Sequence, residues 1–423
     1  MAMRFETLHE WLDWQSGLHP KSIDLGLARP MEVAGRLGQL RSPPRVVTVA
    51  GTNGKGSTVS TLEAILRSGG YRVGSYLSPH LLRYNERIRI DGQEVTDAVL
   101  VNAFAEVDEA RHDTSLTFFE FGTLAAMQVF SRCGLDFLLL EVGLGGRLDV
   151  VNIYEPEVTV LTSIGIDHTE WLGDTREDIG REKAGIFRQH VPVVIADRQP
   201  PRSVMQKAAE LKAPVHLIGQ HFDPEISADR WDWIAGEVRI GNIPCPRLCG
   251  RHQVDNASAA IMASRLLDAS LSPEVVRTGV GNTRLAGRYQ QLLSEPNVII
   301  DVAHNREAVE SLASILDDQP VTGRTVAVFA MYQDKDIESS VEPLATLVDQ
   351  WYVAGLSGPR GQSAAEIKQR LSALPRASAV EVHENVVEAY LAAKAALSTE
   401  DRLVAFGSFT TAAAVLELAC TDD

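Results

Sequence analysis

The chain has 423 residues, 45% of them hydrophobic and 23% charged, with a formal net charge of −16. That length exceeds what one hydrophobic core ordinarily serves, so two domains are expected. The acidic balance argues against a nucleic-acid partner, which needs a basic face, and no apolar run is long enough to span a bilayer.

Residues 5–15 and 29–40 read as helices, with a loop over Ile23-Asp24-Leu25-Gly26-Leu27 between them. The opening Met1–Glu6 leads into an amphipathic pattern and not a signal-peptide apolar core, so a cytoplasmic protein is expected. Val46–Ala50 is a β-branched strand that stops at Gly51-Thr52-Asn53-Gly54-Lys55-Gly56-Ser57. A helix over Thr58–Arg67 follows, with Leu62, Ile65 and Leu66 on one face. Strand, glycine-rich loop and helix N-terminus in that order make an anion site, and Lys55 adds a mobile charge. The match to the usual phosphate loop is imperfect, because Val49 stands at the first glycine and Gly56 separates Lys55 from Ser57. An ordinary glycine-rich turn is the alternative; the flanking elements favour a nucleotide triphosphate.

Tyr71–Leu77 is a second strand, ended by Ser78-Pro79-His80, where proline blocks further pairing. Residues 96–110 and 117–132 read as helices. Phe137–Val142 is apolar until Glu141, as a buried parallel strand should be, and Val158–Thr162 runs into Ser163–His168. A helix over 175–187 and a strand over Val191–Ile195 complete an alternation that predicts a parallel α/β sheet with right-handed crossovers. Residues 214–250, with Trp231 and Trp233, read as a small antiparallel appendage, and Asn256–Leu267 as a helix. Residues 281–290 are turn-rich and basic, which puts a domain boundary there. The expectation is an α/β protein with an N-terminal phosphate-loop domain of parallel sheet over 1–286 and a C-terminal Rossmann-like α/β domain over 287–423. The second domain takes its strands from Val298–Val302, Thr325–Ala330, Trp351–Ala354, Ala379–Val382 and Arg402–Phe406. No G-x-G-x-x-G opens either domain, which argues against nicotinamide binding. Cys133, Cys245, Cys249 and Cys420 suggest no disulfide framework, and the spacing of Cys245 and Cys249 is not a usual zinc spacing.

Open α/β sheets bind ligands at the carboxyl ends of their strands. Ser78, Glu141 and His168 all stand at such ends, where a hydroxyl, a carboxylate and an imidazole could hold Mg²⁺ beside ATP phosphates. Taken singly, Glu141 reads equally well as a helix-capping carboxylate and His168 as a loop histidine bonded to backbone. Gly143-Leu144-Gly145-Gly146 after Glu141 makes a loop that moves, hugs a ligand or simply turns tightly.

Six stretches together resemble the folylpolyglutamate synthases, and most of all the bacterial form that is also a dihydrofolate synthase, a branch of the Mur-type ATP-dependent amide ligases. They are Gly51–Ser57, Ser78-Pro79-His80, Glu141–Asp149, Ile166-Asp167-His168, Glu182-Lys183-Ala184-Gly185-Ile186 and Asp301-Val302-Ala303-His304-Asn305. The likeness runs from about residue 20 to Phe409 with the motifs in family order. It implies that Asn53, Gly54, Lys55, Gly56, Ser57, Asn256, Arg288 and Asp301 bind ATP, and that Ser78, Glu141 and His168 bind magnesium. It implies carbamylation of Lys183 by CO₂, and catalytic parts for Lys55, Lys183 and His304. Pteroate would lie against Asp24, Leu25 and Gly26, against Thr117, Phe118, Phe119 and Glu120, and against Leu148, Asp149 and Val150. His304 and Ser408 would face glutamate. Arg306 stands where proline is common, and Phe118 where tyrosine is frequent.

The implied reaction joins L-glutamate to dihydropteroate, and to the γ-carboxyl of reduced folates, through an acyl phosphate. A two-domain chain with a hinge near Arg284–Arg288 can close to protect that intermediate from water. The expected partners are ATP and these small molecules, with no nucleic acid or membrane, acting on a monomer. Another Mur-type amino-acid ligase and a nucleotide-binding regulatory module are the competing readings. A switch would need neither the metal-plus-lysine cluster nor a second α/β domain.

Overall fold

Val46, Val47 and Val49 make Arg45–Ala50 (β1) a strand buried on both faces beyond its first residue. In the computed structural model it lies inside an eight-stranded sheet. The structure describes residues 3–39, 44–227, 230–246, 250–372 and 379–421, so Cys249 lies outside the described residues. The chain divides into two units, Met1–Arg247 with Val254–Arg284, and Leu248–Gln253 with Leu285–Asp423.

The first unit adds β2 (Val73–Tyr76), β3 (Ile88–Ile90), β4 (Gln93–Glu94), β5 (Phe137–Glu141), β6 (Val158–Leu161), β7 (Val193–Ile195) and β8 (Val215–Leu217). Their order is β4-β3-β2-β5-β1-β6-β7-β8, with only the β3 and β4 edge antiparallel. Each neighbour in a parallel run is reached through a crossover, so both faces are covered and the strands are mostly apolar, with Thr48, Ser75 and Thr159 among the buried exceptions. Alternate side chains supply two cores: Leu138 and Leu140 face one, Phe137 and Leu139 the other.

Three differences from the sequence reading have physical causes. The phosphate-loop helix begins at Lys55, not Thr58, because Gly54 adopts φ 86° and turns the chain into the helix at once. Lys-Gly-Ser carries no apolar period that could announce that first turn. Pro273–Asn282 is a helix, N-capped by Ser272, where no element was expected. Its Gly279 lets it lie against the phosphate-loop helix, since a Cβ there would stand 2.4 Å from Ile65 Cα. Finally, the antiparallel appendage is narrower than 214–250: β8 joins the main sheet, and only β9 (Asp223–Ile226), β10 (Arg230–Ala235) and β11 (Val238–Pro244) form the separate sheet. Trp231 and Trp233 from β10 fill the second core, with the Trp233 indole donating to Ser258 O at 3.1 Å.

The second unit holds β12 (Gln290–Ser294), β13 (Asn297–Ile300), β14 (Thr325–Phe329), β15 (Gln350–Ala354), β16 (Val380–His383) and β17 (Arg402–Phe406), in the order β12-β13-β17-β14-β15-β16. All pairs are parallel except β12 with β13. That added hairpin begins inside the stretch expected to be turn alone.

Candidate active site

The register Val49↔Glu141 and Ala50↔Leu161 brings the carboxyl ends of β5, β1 and β6 side by side, with β2 beyond β5. The loop after β6 holds the phosphate loop from behind. Thr52 N donates to Ser163 O at 2.7 Å, and Thr162 Oγ1 donates to Asn53 O at 2.7 Å. Two glycines are required here by space as well as by dihedral. A Cβ on Gly51 would fall 1.7 Å from Thr162 Oγ1, and one on Gly54 would fall 2.3 Å from Asn256 Oδ1. Asn256 thus packs on the loop. Gly54→Ala is expected to lower stability by about 1–2 kcal/mol for the left-handed backbone alone and to weaken ATP-analogue binding by displacing Asn256. Calorimetric melting and titration with the analogue check both.

Glu141 is buried, and one of its oxygens accepts from Ser78 N at 3.0 Å. This contact joins two of the three residues proposed for metal. His168 sits on the loop after β6 with φ 53°, its backbone N–H held by Asp167 Oδ1 at 2.8 Å. Among the described residues no three His, Cys, Asp or Glu side chains converge as a ready-made metal cluster. Ser57 Oγ is buried and finds no hydrogen-bond partner among the described residues. A buried, unsatisfied hydroxyl in the first turn of the phosphate-loop helix is a hard oxygen of the kind that suits Mg²⁺, an ion that takes its other ligands from phosphate and water.

Lys183, at the end of the helix Arg176–Lys183, is buried and donates to Gly51 O at 2.8 Å. Lys55 donates to the same oxygen at 3.1 Å and to Thr52 O at 3.1 Å. Burial, together with the Lys55 charge, pushes the Lys183 amine down to about 7. Asp149 is also buried, and burial raises its carboxyl to about 6 despite three backbone donors. Gly143 N, Leu144 N and Val151 N donate to it at 3.1, 2.9 and 2.9 Å. Its carboxylate therefore shapes the glycine loop and caps the turn Val150–Ile153. Leu148 is half-buried and Val150 buried beside it.

Two of the stretches assigned to pteroate meet through an arginine the sequence reading did not single out. Arg29 ion-pairs with Asp24 and donates to Glu120 Oε1 at 3.0 Å, while Glu120 Oε2 accepts from Thr117 N at 2.8 Å. Thr117 and Glu120 form a capping box at the start of Phe118–Phe130, a sequence signature that pairs them without revealing Arg29. Leu25 and Gly26 belong to the same half-exposed loop as Asp24. Phe119 lies on Gly143, where a Cβ would be 2.5 Å from its ring, and Phe118 packs edge-on against Tyr84. Both phenylalanines are partly exposed. Arg87 also escaped the sequence reading: its Nε donates to His80 Nδ1 at 2.8 Å. Burial and the Arg87 charge push His80 down to about 4.

Arg288, Asp301, His304 and Ser408 belong to the second unit and gather there at the carboxyl ends of β13 and β17. Asp301 is held by Tyr289 N and Ala303 N, each at 2.7 Å, and burial raises its pKa. His304 Nδ1 lies 2.8 Å from Val302 O, which places its proton on that nitrogen in the neutral ring. Arg288 and His304 both lie against Phe409. The Ser408 hydroxyl is buried, shares a hydrogen bond with Thr411 Oγ1 at 2.7 Å and accepts from Thr411 N at 3.0 Å, so it caps the helix Phe409–Thr421.

Residues 49–264 match the Mur ligase middle domain, and residues 287–409 match the Mur ligase glutamate ligase domain. The chain is 43% identical over 411 residues to a dihydrofolate synthase/folylpolyglutamate synthase of Escherichia coli, covering 97% of this chain and 95% of that one. A solved E. coli FolC in complex with DHPP and ADP superposes with a TM-score of 0.94 at 42% identity, over 100% of both chains. A bifunctional folylpolyglutamate synthase/dihydrofolate synthase with Mn, AMPPNP and L-glutamate bound superposes with a TM-score of 0.90 at 42% identity, over 98% of both. On its sequence and on both halves of its fold, the chain belongs to the dihydrofolate synthase/folylpolyglutamate synthase family of Mur-type ligases.

Proposed function

We propose that this chain is an ATP-dependent ligase that attaches L-glutamate to dihydropteroate and to the γ-carboxyl of reduced folates. The observation that carries the reading is the meeting of Lys55 and Lys183 on Gly51 O, inside a phosphate loop flanked by Glu141. A carboxylate is a poor acyl donor, and it repels ATP. The Lys55 ammonium at the loop offsets that repulsion as a carboxylate oxygen attacks the γ-phosphorus and the bond to the bridging oxygen breaks, releasing ADP. The amine of glutamate then attacks the acyl carbon, phosphate departs, and the amine loses a proton. His304, protonated on Nδ1, offers Nε2 to take it.

Ser57, Ser78, Glu141 and His168 would hold Mg²⁺, which supplies charge neutralisation at the phosphates. Asn53, Gly54 and Gly56 present the loop backbone to ATP, with Asn256 packed against Gly54. Arg288 and Asp301 would contact nucleotide, and Ser408 glutamate. Lys183 takes up CO₂: its neutral amine bonds to the carbon, one proton leaves, and a carbamate anion results. The depressed amine pKa supports that reaction, since only the neutral form adds CO₂. Pteroate lies along Asp24–Gly26, Thr117–Glu120 and Leu148–Val150, with Asp149 acting through the loop that it holds.

Both reactions end on one activated carboxylate, so one site serves two acceptors. ADP release and product mass, measured with dihydropteroate and with tetrahydrofolate, are expected to show turnover of each only when glutamate is present. Release of ADP without an acceptor, or turnover of tetrahydrofolate alone, would contradict the reading.

A further inference from the structure

Arg87 is 8% exposed, yet among the described residues it has no carboxylate partner. Its Nε donates to His80 Nδ1. Its guanidinium carbon stands 5.3 Å from the Tyr84 ring centre and 5.8 Å from that of Phe118, and Tyr84 packs edge-on to Phe118 at 5.7 Å. Burying a guanidinium without an anion is costly, and two aromatic faces, the His80 nitrogen and the neighbouring Tyr76 hydroxyl, all neutral, compensate for only part of the lost hydration. The chain meets that cost at a particular place. His80 is two residues beyond Ser78, whose N–H is on Glu141, and Phe118 begins the helix that carries the pteroate stretch. Arg87 therefore links the Ser78-Pro79-His80 loop, through His80, to the aromatic pair Tyr84 and Phe118.

We infer that the Arg87 guanidinium binds the reacting carboxylate of the acceptor and holds it for attack on the γ-phosphorus. This rests on the ligase reading above and names the residue that receives the acceptor's anion. The planar fork of the guanidinium matches a carboxylate, and the Nε contact with His80 fixes the plane of that fork. In the step that follows, one carboxylate oxygen forms the bond to phosphorus while the β,γ-bridging oxygen leaves with ADP. Arg87 loses no proton and keeps its charge, so it stays beside the acyl phosphate as glutamate arrives. The same group serves dihydropteroate and reduced folates, because each presents a carboxylate at the reacting end.

The test compares dihydropteroate with its carboxamide analogue in direct binding to the intact protein, alongside steady-state kinetics. Wild type is expected to prefer the acid. Arg87→Lys, which keeps the charge but not the fork, and Arg87→Met are expected to lose roughly 10- to 100-fold in affinity for the acid and little for the amide. The Michaelis constants for both acceptors rise with it, while ATP-analogue binding stays near wild type. Equal losses for acid and amide would assign Arg87 a packing role and overturn the inference. So would a wild type that binds acid and amide alike, or a wild-type complex with dihydropteroate whose carboxylate lies far from Arg87; neither depends on a variant folding. If wild type made no acceptor-dependent ADP, the ligase reading itself would fail instead.

Discussion

Lys55→Ala is expected to lower turnover by about 10²–10³-fold or more, with a melting temperature only a few degrees below wild type. The ammonium lies half-buried at the first residue of the phosphate-loop helix, where in the proposed reaction it would oppose charge gathering on the transferred phosphoryl. Its structural part is small, because Gly51 O keeps the bond from Lys183 when Lys55 is gone. Steady-state kinetics beside calorimetry separates the two parts. Turnover near wild type in a variant that melts normally would remove the phosphate-loop assignment. The variant has a second consequence. Lys55 helps to hold the Lys183 amine down, so its loss raises the Lys183 pKa and leaves less of the neutral amine at a given pH.

Lys183→Ala is expected to abolish most activity, and bicarbonate to restore wild-type enzyme that has been depleted of CO₂. An unmodified ammonium would repel the metal, whereas the carbamate attracts it. Restoration should fall as pH drops through about 7, where the buried amine takes up its proton. The stability effect has a definite sign. The unfolded chain keeps this proton up to the ordinary 10.5, and the folded chain releases it at about 7. Between those values the unfolded state holds more protons, so in CO₂-free buffer stability rises with pH, and the burden of the buried amine is greatest below pH 7. Lys183→Met removes that burden. It should melt no lower than wild type at pH 6 while remaining inactive, a pattern that simple misfolding cannot produce. A bare amine at high resolution in fully active enzyme would end the carbamate proposal.

The sequence by itself determined much of the local order. The apolar runs at β1, β5 and β6 announce buried parallel strands, because a strand covered on both faces is apolar at most positions and does not alternate. Ser78, Glu141 and His168 stand out because each interrupts or follows such a run. Glycines at 51 and 54 signalled a loop that no side chain could occupy, and the distances to Thr162 and Asn256 give the reason. The helix Pro273–Asn282 stayed hidden because Gly279 and Gly281 look like turn residues until the neighbouring helix is in place.

What the tertiary structure alone decided is which groups share a dielectric and a partner. Lys183 reaches Gly51 across 132 residues of chain, and Arg29 reaches Glu120 across 91. No periodicity encodes such pairs, because periodicity reports how a segment faces its own core and nothing about what lies opposite. Asp149 is set against pteroate by resemblance alone, and burial with three backbone donors makes it the holder of that loop. Arg87 reads as one cation in a charged run, Arg83-Tyr84-Asn85-Glu86-Arg87. Only the packing of His80, Tyr84 and Phe118 around it turns a surface charge into a buried one that needs an anion.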